Sequence, residues 1–270
     1  MYPKLFSTGP FKVGPWHFSG FAIHTYGFML MIAFIVGILL TVREARRKGR
    51  PTEEVLDLSI LVLLFAIIFA RIFYVLLNLS DYLPHPEQML YLWTGGLSFH
   101  GGLAGGLLAG LLYARRRKVS FWELTDLFTP AIPLAYAIAR IGCFLNGCCY
   151  GIPTDLPWAC RFYSQDISGA LTAPSHPVQL YDAAANVILF FIIGRLKGRD
   201  HARGVLFFQY VVGYSIIRIL AEILRRGVTA KTIANLPITE AQVASVVLIV
   251  VALFLIRRWS RKRKEAKPGK

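Results

Sequence analysis

Five ionisable residues lie inside long apolar runs of this 270-residue chain: Arg71, His100, Arg140, Arg218 and Glu222. An ionisable group near a bilayer centre costs on the order of 3 kcal/mol on insertion scales, so such groups face a protein interior or a wet cavity and have partners. Guanidinium groups hold anions through bidentate hydrogen bonds, and an imidazole exchanges a proton near neutral pH. If the five share one membrane depth, they are candidates for one site. Each also has a plainer reading. Arg218 and Glu222 are four apart on a helix face and suit a structural ion pair. Arg71 can snorkel to a headgroup layer, and His100 can be a hydrogen-bonded packing residue. Arg140 lies too deep for easy escape to water.

The elements that must position these groups are helices in a bilayer. With 55% hydrophobic residues and a mean hydropathy of +0.52, the chain reads as an all-α polytopic membrane protein of about seven transmembrane helices with a small extracytoplasmic subdomain. The apolar runs fall at 25–42, 55–78, 96–114, 122–147, 178–194, 204–224 and 240–257, the run at 178–194 being the shortest. Residues 1–24 form an N-terminal extracytoplasmic arm and 25–147 carry helices 1–4. A head segment covers 148–177, helices 5–7 cover 178–257, and 258–270 is a basic cytoplasmic tail. The glycine-, proline- and aromatic-rich start lacks the basic-then-apolar pattern of a cleavable signal peptide.

The net charge of +15 invites a nucleic-acid reading, but the distribution of the charge opposes it. Most basic residues cluster at 43–50, 115–118, 195–203 and in the tail. With seven spans, all four clusters fall on one side of the membrane. The positive-inside rule then places the N-terminus outside and the C-terminus in the cytoplasm, and no nucleic-acid partner is expected. In this topology Arg71 and Arg140 lie roughly 10–12 Å below the outer ends of their helices, and His100 about 7 Å deep. Arg218 and Glu222 lie within roughly 10 Å of the same surface. Five separate placements agree on the outer half of the membrane. Gly101, Gly102, Gly105, Gly106 and Gly110 give overlapping small-xxx-small spacings and predict close helix packing.

The 148–177 connection carries Pro153, Pro157, Pro174 and Pro177 and an alternating stretch, Trp158 to Tyr163, that suits a short strand. Segments 1–20 and 79–94 are aromatic and suit interfacial arms. Of the four cysteines, Cys143 reads as a small apolar packing group. Cys148 or Cys149 with Cys160 suits a disulfide on an oxidising outer face. Their spacing matches no common zinc pattern, so no metal is assigned.

Several strings resemble the bacterial prolipoprotein diacylglyceryl transferase family, from about Tyr26 to Gln242. They are His-Thr-Tyr-Gly at 24–27, Ala-Arg-Ile-Phe-Tyr at 70–74 and Gly-Leu-Ser-Phe-His-Gly-Gly-Leu at 96–103. Others are Arg-Ile-Gly-Cys-Phe-Leu-Asn-Gly at 140–147, closing at Gly151, and His-Pro-Val-Gln-Leu-Tyr-Asp at 176–182. Arg218, Glu222 and Arg225 match the family's span 6 pattern, and Gln242 with Ser245 the start of its span 7. The chain departs from the family signature at Ala139, Cys143 and Cys148, which stand where a glycine, an asparagine and a glutamate are usual.

The resemblance implies transfer of the diacylglyceryl group of phosphatidylglycerol to the lipobox cysteine of a preprolipoprotein in the bacterial cytoplasmic (inner) membrane. A thioether forms and glycerol phosphate leaves. The thiol must react as thiolate, and the leaving phosphate needs fixed cations in a dry cavity. On this basis His100, Arg140 and Arg218 are the catalytic candidates. Tyr26, Arg71, Asn146, Gly151 and Glu222 are the substrate-binding candidates. Glu222 would orient Arg218, and His100 would accept the thiol proton or only position the lipid. Phosphatidylglycerol, the lipobox signal peptide and membrane lipids are the expected partners, with no cofactor. The alternatives are a relative with a different donor or acceptor, one that binds lipid without turnover, or a small-anion or lipid transporter. No internal repeat supports transport.

Overall fold

The computed structural model describes residues 4–7, 11–13, 16–18, 22–92, 95–163, 170–199, 201–225, 232–233 and 238–265. Arg226 and Lys231 lie outside the described residues. The chain divides into two compact units, Ile38–Leu127 and Met1–Gly37 with Phe128–Lys270.

Nine α-helices are present among the described residues: α1 (Thr25–Arg47), α2 (Thr52–Leu77), α3 (Leu79–Tyr82), α4 (Phe99–Arg117), α5 (Phe121–Phe128), α6 (Ile132–Asn146), α7 (Val178–Leu196), α8 (Val205–Arg225) and α9 (Glu240–Glu265). Among the described residues, six stretches are long and apolar enough to cross a membrane: α1, α2, the α5–α6 run, α7, α8 and α9. The expected third span folds as α4 but is less apolar, because glycines fill its middle and Arg115, Arg116 and Arg117 its last turn. In α1, α2 and α9 only 17% of the most apolar stretch is buried within the protein. Leu39, Leu77, Val250 and Phe254 point outward, as side chains facing lipid do.

In the unit Ile38–Leu127, α2 and α4 pack with backbones close together. A Cβ on Gly105 would stand 2.7 Å from Phe69 Cβ, and one on Gly101 2.6 Å from Phe73 Cβ. The predicted small-residue packing is therefore real and is made by these two glycines four apart. Arg71, at the far end of α2, draws the following segment together. Its Nε donates to Met89 O (2.9 Å), Nη2 to Gln88 O (2.7 Å), and Nη1 to Gly95 O (2.6 Å) and Gly96 O (3.1 Å). The described part of the expected interfacial arm at 79–94 thus contains a short helix and a 3-10 turn at Pro86–Leu90, tied to one arginine.

In the other unit, α6, α7, α8 and α9 pack in sequence, and Leu189, Ile193, Leu206 and Tyr210 form a buried cluster between α7 and α8. The expected single helix over 122–147 is interrupted by a 3-10 turn at Thr129–Ala131. Pro130 and Pro133 explain the break, since each lacks the N–H that an α-helix interior needs. Thr239 and Gln242 cap α9 reciprocally, with Gln242 N donating to Thr239 Oγ1 (3.2 Å) and Thr239 N to Gln242 Oε1 (3.1 Å).

Two features differ from the sequence expectation. The N-terminal arm contains strands: β1 (Lys4–Ser7) pairs antiparallel with β4 (Ala22–His24), and β2 (Phe11–Val13) with β3 (Trp16–Phe18). The stretch Trp158 to Tyr163 is not a strand. It makes isolated bridges, Cys160 to Ser175 and Tyr163 to Leu171.

Candidate functional site

Within the larger unit the site is built where the ends of α6 and α8 meet the start of α7. Arg140 is buried in the second-last turn of α6. Its Nε lies 2.7 Å from Oδ2 of Asp182, off line for a hydrogen bond, and the Tyr136 ring covers the guanidinium at 5.1 Å. Asp182 is itself fixed. Its Oδ1 accepts from Asn186 Nδ2 (2.9 Å) and its Oδ2 from Tyr136 Oη (3.3 Å). An acid locked by two donors holds the Nε edge of Arg140, while Nη1 rests 4.0 Å from Cys143 Sγ.

At the end of α8, Glu222 is 1% exposed and accepts from two arginines through one oxygen. Arg218 Nη2 and Arg225 Nη1 each lie 2.8 Å from Oε1. The predicted Arg218–Glu222 pair is present, and Arg225 is a buried third member on α8. Three charges on one face give a fixed net cation, with the Arg218 side chain 21% exposed as its wettest part.

Gly151 ties these ends together. Its N donates to His176 O (2.9 Å), and the next residue, Ile152, donates to Leu224 O (2.7 Å). A Cβ there would meet Val178 Cγ2 at 2.6 Å and Leu224 O at 2.7 Å. Gly151 is thus a close-packed joint where only hydrogen fits. Arg71 is engaged within its own unit, where backbone carbonyls accept from four of its five N–H groups.

Tyr26 opens α1 and is partly exposed, its ring near Gly142 of α6. Asn146 closes α6 and is half-buried. In the other unit, His100 sits exposed in the first turn of α4, after the N-cap Ser98, its ring edge-on to Phe99 at 5.8 Å.

The cysteines depart most from expectation. All four are free thiols, and Cys160 donates to Trp158 O instead of pairing with Cys148 or Cys149. Cys148 and Cys149 gather on Cys143, the three sulfurs lying within 4.8 Å of one another. Gly147 (φ 79°) ends α6 in the left-handed region, and Cys148 N donates to Cys143 O (3.1 Å) while Gly147 N donates to Phe144 O (3.1 Å). This is a Schellman cap, in which the residue past the glycine lands on the residue five before it. Hydrogen bonds with Cys143 and Cys148, reinforced by the Arg225 and Arg140 charges, hold the Cys149 thiol below the usual thiol range. The same hydrogen-bonded cluster pushes Cys148 up.

Asp182, Tyr136, Asn186 and the joint role of Arg225 were missed by the sequence reading. Asp182 closes the His-Pro-Val-Gln-Leu-Tyr-Asp segment at 176–182, and its position four before Asn186 was the available signal.

Residues 15–258 match the family model described as prolipoprotein diacylglyceryl transferase. The phosphatidylglycerol–prolipoprotein diacylglyceryl transferase of Geobacter sulfurreducens is 34% identical over 242 residues, 88% of this chain and 91% of the relative. The Geobacillus kaustophilus protein of the same name is 34% identical over 259 residues, covering 92% and 94%. That of Trichormus variabilis is 33% identical over 272 residues, covering 97% and 93%. With the polar groups gathered at the helix ends where the motif residues stand, and similarity running through nearly the whole chain, the protein belongs to the prolipoprotein diacylglyceryl transferase family.

Proposed function

We propose that this chain transfers the diacylglyceryl group of phosphatidylglycerol to the lipobox cysteine thiol of a prolipoprotein. The observation that carries the reading is the pair of anchored cations in one unit: Arg140 held by Asp182, and Arg218 held by Glu222. The thiolate sulfur attacks the glycerol carbon bonded to phosphate. The S–C bond forms, the C–O bond breaks, and the electron pair leaves on the phosphate oxygen as glycerol phosphate. Arg140 and Arg218 bind that phosphate, where charge grows in the transition state and preorganised donors contribute most. Because Asp182 and Glu222 already fix them, little reorganisation is needed at the moment of reaction. The family resemblance makes His100 the candidate to take the thiol proton or only to position the lipid. Tyr26 and Asn146 orient headgroup oxygens, and Arg71 acts as a positioning residue for the 86–96 segment.

The basic clusters favour a cytoplasmic C-terminus and a site toward the outer leaflet of a bacterial inner membrane. A phospholipid headgroup and a signal-peptide cysteine both reach that depth. The test is to incubate the purified protein in detergent with phosphatidylglycerol and a lipobox peptide, and to read the peptide by mass spectrometry. A diacylglyceryl mass gain on the cysteine, lost when that cysteine is replaced by serine, is expected. A gain that survives the serine peptide, or no gain from folded protein, would refute the reading.

A further inference from the structure

Cys143, Cys148 and Cys149 lie outside the mechanism above, yet their three sulfurs converge. The Schellman cap accounts for one contact, because it brings Cys148 over Cys143 as it would any pair at those positions. It does not account for the third. Cys149 has φ 65°, one of two described non-glycine residues with positive φ, and a cysteine there is disfavoured by about 1 kcal/mol or more. The chain thus holds a strained residue at the position that completes the triad.

We propose that Cys143, Cys148 and Cys149 form a three-thiolate site for a thiophilic divalent cation of the zinc type. Around a metal with bonds of about 2.3 Å to sulfur, tetrahedral ligands stand about 3.8 Å apart. The sulfurs are within 4.8 Å, so closure asks for shifts of about 1 Å or less, which rotation about χ1 supplies. Thiolates select borderline and soft cations and reject calcium and magnesium. Three thiolates and a divalent ion carry one net negative charge, and Arg140 and Arg225 lie within electrostatic reach of Cys149 to offset it. A fourth position stays open to water or another thiol. The site ties the turn at 147–149 to the α6 turn that bears Arg140 and Asn146, so occupancy stiffens the end of that helix. A disulfide is the competing use of these thiols. It would join two and strand the third, whereas a cation engages all three.

The test uses the full chain in detergent, reduced with a thiol-free reductant and stripped by chelator, then titrated with cobalt(II) alone. A saturable thiolate-to-cobalt charge-transfer band with one equivalent of metal, displaced by zinc, is expected. Zinc should also raise the thermal midpoint of the wild-type protein. Cys143→Ser, Cys148→Ser and Cys149→Ser should each weaken cobalt affinity at least tenfold, while Cys160→Ser should not. No saturable band from protein with four titratable thiols would overturn the proposal. So would a band that persists in the triple serine variant, or a disulfide found within the triad in freshly isolated protein. These readouts measure binding, so they stand or fall apart from transferase activity.

Discussion

Glu222→Gln is the sharpest perturbation of the α8 charge group. One buried oxygen, Oε1, receives Arg218 and Arg225 at 2.8 Å each. Hydrogen bonds to charged groups contribute about 1.5–3 kcal/mol each, and breaking a buried pair by removing one partner costs about 3–5 kcal/mol. The Arg218 side chain is 21% exposed, so solvent screens part of its share and the lower end applies, about 3 kcal/mol. Unfolding in detergent should show that loss. A cycle with Arg225→Gln should give a coupling of about 2 kcal/mol, since the double variant removes an anion and a cation together. Arg218 loses its orientation in the same variant, so the transferase rate should fall about 100-fold, as when one preorganised donor is lost. A Glu222→Gln protein within about 0.5 kcal/mol of its parent, with an unchanged rate, would refute the reasoning.

Other expectations follow from the same geometry. Gly105→Ala should destabilise the protein by about 1–3 kcal/mol by overpacking, while Gly106→Ala, whose Cβ would meet Val62 at a comfortable 3.5 Å, should be nearly neutral; thermal unfolding of the two separates them. Arg71→Lys keeps the charge but loses the fork that grips four carbonyls, so proteolysis within 83–98 should accelerate; an unchanged cleavage rate would contradict the scaffold role. Cys160 should react with a membrane-impermeant maleimide in intact cells, and protection until lysis would contradict the proposed orientation.

The helices were legible because their apolar runs match bilayer thickness and their glycines recur at four-residue spacing. The break at Thr129–Ala131 was readable in principle from Pro130 and Pro133, but uninterrupted hydropathy across 122–147 masked it. The Arg218–Glu222 pair was visible because both residues share one helix face. The Arg140–Asp182 pair joins two helices, and nothing local in the sequence states which buried acid meets which arginine. The same limit hid the grip of Arg71 on carbonyls 17 to 25 residues away. The gathering of Cys143, Cys148 and Cys149 was hidden for a different reason. Spacing rules for thiols ignore the backbone, whereas a left-handed Gly147 and a left-handed Cys149 fold the chain back within three residues.

The most direct measurement is the yield of peptide thioether and of released glycerol phosphate by the wild-type protein, Arg140→Lys and Arg140→Ala, in one reaction series. The two products should appear in equal amounts with wild type. Both should fall by at least about 100-fold in Arg140→Ala, with little recovery in Arg140→Lys, since lysine cannot be held by Asp182 and face a phosphate at once. Full turnover by a folded Arg140→Ala protein would contradict the assignment of the phosphate to this arginine.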